Sequence, residues 1–203
     1  MSVDKRYDRA YFDRWYRRSS LKVGSRAALA RKVGMTVALA EYYLGRPLRS
    51  VLDVGCGEGA WFPVLKSLRP RVSYLGLDSS DYAVARYGRS RNIRHAGFGQ
   101  LGELRLDITF DLIVCSDVLH YVPTRELRRG IAGFAEICDG VAFIETFTAH
   151  DALNGDKRGF IARAPAWYRK EFRSAGLVAC GTHCYLSPRL QASVAALEVL
   201  ALG

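Results

Sequence analysis

The chain lacks an apolar run of the ~18 residues that a membrane-spanning helix requires. Its first residues, Met1 to Arg9, are charged and carry no apolar stretch of the kind a secretory signal needs. No Gly-Lys-Ser or Gly-Lys-Thr occurs, which removes the phosphate loop of the nucleoside triphosphatases. Cysteine is sparse: Cys56, Cys115, Cys138, Cys180 and Cys184 are odd in number and scattered among mostly apolar neighbours. That pattern excludes a disulfide framework and predicts reduced core thiols and a cytoplasmic setting. Cys180-x-x-His183-Cys184 has no second ligand cluster near it, so it reads as packed thiols on a strand and no metal is expected.

Acidic residues are also few, 20 against 30 Lys and Arg, for a net charge of +10. The excess is local. Residues 1–50 hold twelve basic and four acidic side chains, and the rest of the chain is close to neutral. A basic head suits an anionic substrate, nucleic acid or an anionic surface, and equally a solvated helical face. With 203 residues, 49% of them hydrophobic, the chain can bury one full core.

What is present centres on Ser50-Val51-Leu52-Asp53-Val54-Gly55-Cys56-Gly57-Glu58-Gly59. The apolar run predicts a strand covered on both faces, followed by a glycine turn and a helix over about 58–68. From there strands and helices alternate. Strands are expected at 72–77, 92–96, 110–116 and 141–146, with helices at 80–90, 124–138 and 166–175. Ser79 or Ser80 and Thr124 are the expected caps. The tail, 177–182 and 190–200, reads as two antiparallel strands joined through Leu186-Ser187-Pro188-Arg189. A helix over 25–44 ends at Gly45-Arg46-Pro47, so residues 1–47 form a helical cap ahead of a compact unit at 48–203. Tyr7, Tyr11 and Trp15, four apart, would share one helical face as a lid. The fold class is α/β: a three-layer sandwich around a mostly parallel seven-stranded sheet, ending in an antiparallel hairpin.

The glycine turn discriminates among ligands. Gly55-x-Gly57-x-Gly59 is one residue short of the dinucleotide fingerprint, and a carboxylate at Asp53 sits badly beside a pyrophosphate. Asp78, ending the second strand 19 residues after Gly59, can accept both hydroxyls of a ribose. The pair implies a ligand with a ribose and positive charge but no phosphate, and S-adenosylmethionine fits.

Val51–Gly59, Leu75-Gly76-Leu77-Asp78 and Phe110-Asp111-Leu112-Ile113-Val114-Cys115-Ser116-Asp117-Val118-Leu119-His120-Tyr121 together resemble class I S-adenosylmethionine-dependent methyltransferases, in order and at that family's spacing. The opening Tyr7–Tyr16 is similar to small bacterial members. The resemblance implies that Gly55, Cys56, Gly57 and Gly59 seat the methionine portion with Asp53. It places Asp78 on the ribose and Ser79 beside the adenine. Backbone at Ser116, Asp117 and Val118 would approach the methionine end, and Tyr11 and Trp15 would close over the donor. Where the family often has an acidic or polar residue near the adenine, this chain has Gly97-Phe98-Gly99. Phe98 either stacks there or packs in the core.

Methyl transfer needs a general base only when the nucleophile holds its proton. His120 is the best-placed candidate, with Tyr121 beside it. His120, Glu145, Arg158, Arg163 and Tyr168 are candidate acceptor contacts, the two arginines for a carboxylate or phosphate. The signature of exocyclic base-amine methylation and a Pro-Cys pair for pyrimidine chemistry are both missing. The expected acceptor is therefore a small molecule methylated at O or N. RNA bound through the basic head, or a donor-binding protein without turnover, are the rivals.

Overall fold

A computed structural model describes residues 5–17, 24–104, 106–152 and 155–200. Seven strands form one sheet: β1 (Ser50–Val54), β2 (Ser73–Asp78), β3 (Ile93–His95), β4 (Phe110–Ser116), β5 (Cys138–Glu145), β6 (Val178–Gly181) and β7 (Cys184–Leu186). Their order is β3-β2-β1-β4-β5-β7-β6. The first five are parallel, β7 runs antiparallel to β5, and β6 pairs antiparallel with β7.

Alternation along the strands explains why the apolar runs are continuous. In β4, Leu112 and Val114 face one side while Ile113 and Cys115 face the other, and all four are fully buried. The first side is covered by α2 (Arg26–Leu44) and α3 (Trp61–Leu68), through Val33, Val37, Ala40, Trp61 and Leu65. The second is covered by α5 (Thr124–Ile137) and α6 (Pro165–Ser174), through Leu127, Ile131, Phe134, Tyr168 and Phe172. α4 (Asp81–Arg91) lies against β2 and β3. The expected boundary at residue 47 falls in the turn between α2 and β1, yet α2 shares one apolar cluster with the strands it precedes. Ser25 caps α2 by accepting from Ala28 N–H at 3.0 Å, and Gly45 ends it in the left-handed conformation.

Three local expectations are corrected. The second hairpin strand is Cys184–Leu186, not 190–200. The chain turns at Thr182-His183, with His183 at a φ of +57°, and Pro188–Gln191 is a short helical turn instead of a connector. Thr124 does not cap α5: Pro123 holds the capping position, and the Thr124 hydroxyl accepts from Arg163. The N-terminal segment is not one regular helix either. It is a short helix, α1 (Arg9–Phe12), running into a single π-type turn over Asp13–Arg17.

Candidate functional site

Strand order reverses between β1 and β4, and the ligand crevice of an open α/β sheet lies at the carboxyl ends of its strands, at such a switch. A cavity of about 270 Å³ opens there, near the ~300 Å³ lower end of small-molecule sites. Its floor is Gly55 and Gly57, both at positive φ. A Cβ on Gly57 would meet Phe12 Cε1 at 3.0 Å, so the glycine backbone itself forms the wall.

Asp78 ends β2 at the edge of this floor. Its Oδ2 accepts Gly57 N–H at 2.6 Å and its Oδ1 accepts Ser80 N–H at 2.8 Å. Burial pushes its pKa up while those two N–H groups pull it down. Each oxygen keeps a lone pair, and the residue lines the cavity. Ser79 lines it beside Asp78, and Ala96, Gly97 and Phe98 line the side near β3. Phe98 packs in the core and still has an edge on the cavity. It packs on Phe134 at 5.6 Å, while Gly130 of α5 leaves room for its ring.

At the far end, β4 delivers Ser116, Asp117 and Val118 to the wall. Val118 lies over Gly55, where a Cβ would come within 2.3 Å of its Cγ2. Ser116 Oγ donates to Glu145, which also holds Lys32 of α2 in an ion pair. Asp117 adopts a φ of +60°, and burial followed by the charge of Glu145 pushes its carboxyl up to about 6.

The roof is the N-terminal segment. Tyr7, Tyr11, Phe12 and Tyr16 line the cavity; Trp15 does not. A π-type turn advances about 4.4 residues, so Tyr16, five after Tyr11, reaches the cavity rim where regular helical spacing would put Trp15, and keeps 44% of its surface exposed. The roof is pinned at three points. Arg17 pairs with Glu58, the Ser80 hydroxyl donates to the Tyr7 carbonyl, and Lys5 pairs with Asp156 at 3.0 Å. Burial pushes the Tyr7 hydroxyl up to about 12 and those of Tyr11 and Tyr121 higher still, so all three stay protonated.

Other sequence candidates lie elsewhere. Asp53 is buried beneath the turn, accepting from the Tyr74 hydroxyl at 2.8 Å, and Cys56 tucks its thiol against Gly76. Gly59 borders Ile93 and Arg91. His120 is 1% exposed with Nδ1 3.1 Å from Thr146 Oγ1, and burial, aided by Lys5, pushes its pKa down to about 4. It is a neutral imidazole off the cavity wall, whereas Tyr121 is on the wall and its hydroxyl donates to the Asp156 carbonyl at 2.5 Å. Glu145 and Arg158 lie off the wall; the Arg158 carbonyl accepts from Lys5.

Arg163 is not placed to grip an anion. It is 7% exposed and donates to the carbonyls of Leu119 and Val122 at 3.2 and 2.7 Å. Its guanidinium also stacks over Trp167 at 4.8 Å, beside the buried Tyr168. Arg163→Ala should therefore lower unfolding free energy by about 1–3 kcal/mol in urea titration, because the buried Val122 carbonyl loses its donor while that of Leu119 keeps only the Val122 N–H. Arg163→Lys should not restore it, since an ammonium cannot reproduce the planar fork. The pocket also contains Val122, Pro123 and Glu126, which no local pattern announces because α5 brings them in from the next crossover. Among the described residues, no Lys, Arg or His lines the cavity.

A family model described as a methyltransferase domain matches residues 12–192, which takes in every strand and the roof from Phe12 onward. The chain belongs to this family. The chain is 33% identical over 78 residues to a trans-aconitate 2-methyltransferase of Deinococcus radiodurans; the match covers 38% of this chain and spans 30% of that protein's length. The fold is similar to magnesium protoporphyrin IX methyltransferase from Synechocystis with bound SAH (S-adenosylhomocysteine), at a TM-score of 0.61 and 19% identity, covering 89% of this chain and 96% of that one. It is also similar to SAM-bound CalS10 from Micromonospora echinaspora, an amino pentose methyltransferase, at a TM-score of 0.59 and 16% identity, covering 78% and 90%. This methyltransferase domain thus shares the fold of those neighbours and carries an aromatic N-terminal roof.

Proposed function

We propose that the chain is an S-adenosylmethionine-dependent methyltransferase that transfers the methyl group to O or N of a small molecule by in-line displacement. The observation that carries this reading is Asp78, fixed by two backbone N–H groups at the edge of a bare glycine floor, with lone pairs left for a ribose. The chemistry of the site fits the donor. Backbone at Gly55 and Gly57 would take the methionine portion, Asp78 the ribose, and Ser79 with Gly97 and Phe98 the adenine. Asp53, Cys56 and Gly59 would shape that turn from beneath. Tyr11, Phe12 and Tyr16 would exclude water from above. Trp15 would act only by bracing the roof.

When bound, S-adenosylmethionine supplies a methyl group already activated on a sulfonium. The protein's part is then alignment and the removal of one acceptor proton. Backbone at Ser116 and Val118 orients the reacting end, and Tyr121 closes its rim. A cavity roofed by aromatic rings and lined by no cation among the described residues favours a small molecule over RNA, whose phosphates would want Lys or Arg at the mouth.

Calorimetric titration with S-adenosylhomocysteine, S-adenosylmethionine and NADH tests the donor. The first two should saturate one site and NADH should not. Asp78→Ala should weaken S-adenosylhomocysteine by about 1.5–3 kcal/mol, the range for charge-assisted hydrogen bonds. Unchanged affinity in that variant removes the ribose assignment.

A further inference from the structure

The cavity carries a charge opposite to that of the chain. Against a net +10, its wall holds Asp78, Asp117 and Glu126 and no cationic side chain among the described residues. The cations nearby are engaged: Lys32 with Glu145, Lys5 with Asp156, and Arg17 with Asp13 and Glu58.

Of the three carboxylates, Glu126 is exposed, and Asp117 differs from Asp78 in how it is held. Its backbone N–H donates to the Glu145 carbonyl at 2.9 Å, which locks the residue at the end of β4. The carboxylate itself accepts no hydrogen bond from the described residues, unlike that of Asp78. With a left-handed backbone it stands on the wall of the cavity that Tyr7, Tyr11, Tyr16 and Tyr121 also line. These rings already attract an ammonium group. Lys5 Nζ stands 3.4 Å from the Tyr121 centroid and 5.2 and 5.4 Å from those of Tyr7 and Tyr11, within the ~6 Å reach of a cation–π contact.

Resting on the methyltransferase reading, we propose that the acceptor is a primary or secondary amine, held as an ammonium by Asp117 and the tyrosine wall, and that Asp117 takes its proton. The ammonium gives one proton to the Asp117 carboxylate. The freed lone pair forms the N–C bond as the methyl carbon's bond to sulfur breaks, the pair remaining on sulfur. The methylated amine leaves protonated, and Asp117 returns its proton to solvent. Burial, which raises the carboxyl to about 6, suits this exchange near neutral pH. The wall is a poor match for a polyanion such as trans-aconitate and a good one for an amino sugar, two of the acceptor chemistries named among the similar proteins.

The test separates donor from acceptor. Wild type and Asp117→Asn are titrated with S-adenosylhomocysteine; Asn tolerates the left-handed backbone and keeps the shape. Both proteins, saturated with it, are then presented with benzylamine, benzyl alcohol or benzoate in ligand-observed NMR. Asp117→Asn should bind S-adenosylhomocysteine within about threefold of wild type. Wild type should prefer benzylamine by about tenfold or more, and the variant should lose that preference. Binding of benzoate or benzyl alcohol as strong as that of benzylamine, or no binding of any probe, overturns the amine assignment. A preference that survives in Asp117→Asn, or a loss of S-adenosylhomocysteine affinity there of about tenfold, overturns the role of Asp117. Failure of wild type to bind S-adenosylhomocysteine would instead sink the donor reading.

Discussion

Gly55→Ala should lower affinity for S-adenosylhomocysteine by about two orders of magnitude, or roughly 2.7 kcal/mol. Two costs coincide at this position. The backbone sits at a φ of +69°, which an L side chain adopts at about 1–2 kcal/mol. The new Cβ would also stand 2.3 Å from Val118 Cγ2, an overlap that forces β1's turn and β4's end apart, and such overpacking costs about 1–3 kcal/mol. That displacement acts on the floor and the far end of the cavity together, which is why binding should suffer. Gly45→Ala is the control. It shares the backbone penalty, with a φ of +63°, but a Cβ there meets nothing within 4 Å. It should cost about 1–2 kcal/mol of stability and leave affinity unchanged. Val118→Ala in the Gly55→Ala background should recover part of the loss. Equal affinities for Gly55→Ala and Gly45→Ala would show that the turn does not shape the site.

Much of this site was legible because it depends on local signals. Val51 to Gly59 declares a buried strand and a turn that no side chain may fill, and Asp78 follows from the end of the next apolar run. The parts that were not legible depend on geometry that arises only in the folded chain. The π-type turn at Asp13–Arg17 puts Tyr16 instead of Trp15 on the cavity wall, and nothing in the local sequence distinguishes it from a regular turn. The tail shows a weaker signal overlooked. Ala192, Ala195, Ala196 and Glu198 are poor strand formers, which argues against a strand at 190–200. The true hairpin turn carries neither Gly nor Asn, since His183 supplies the left-handed residue. Arg163 reads as an anion-binding cation in sequence and becomes a buried brace because the fold brings the carbonyls of Leu119 and Val122 within its reach.

Asp53 offers the other large effect, and it is one of pH. The carboxyl is buried on the α2 and α3 side of β1, with one hydrogen bond from the Tyr74 hydroxyl at 2.8 Å. Burial pushes its pKa up to about 7; the hydrogen bond opposes that shift, and the charge of Asp78 adds to it. An acid whose folded pKa lies above its unfolded value favours the folded state while protonated. That contribution is complete below pH ~4 and is lost as pH rises towards ~7, at about 1.4 kcal/mol per unit. Over the whole window the loss is of the order of 3–4 kcal/mol. Asp53→Asn is neutral throughout, and its amide oxygen can still accept from Tyr74. The other titrating groups are common to both proteins, so their difference isolates this one. In urea titrations at pH 4.5, 6 and 8, the variant should gain on wild type as pH rises and level off above pH ~7. A difference independent of pH would mean that Asp53 stays ionised in the fold. It would then lend a full negative charge to the glycine turn from beneath, instead of the neutral hydrogen-bonding group its burial dictates.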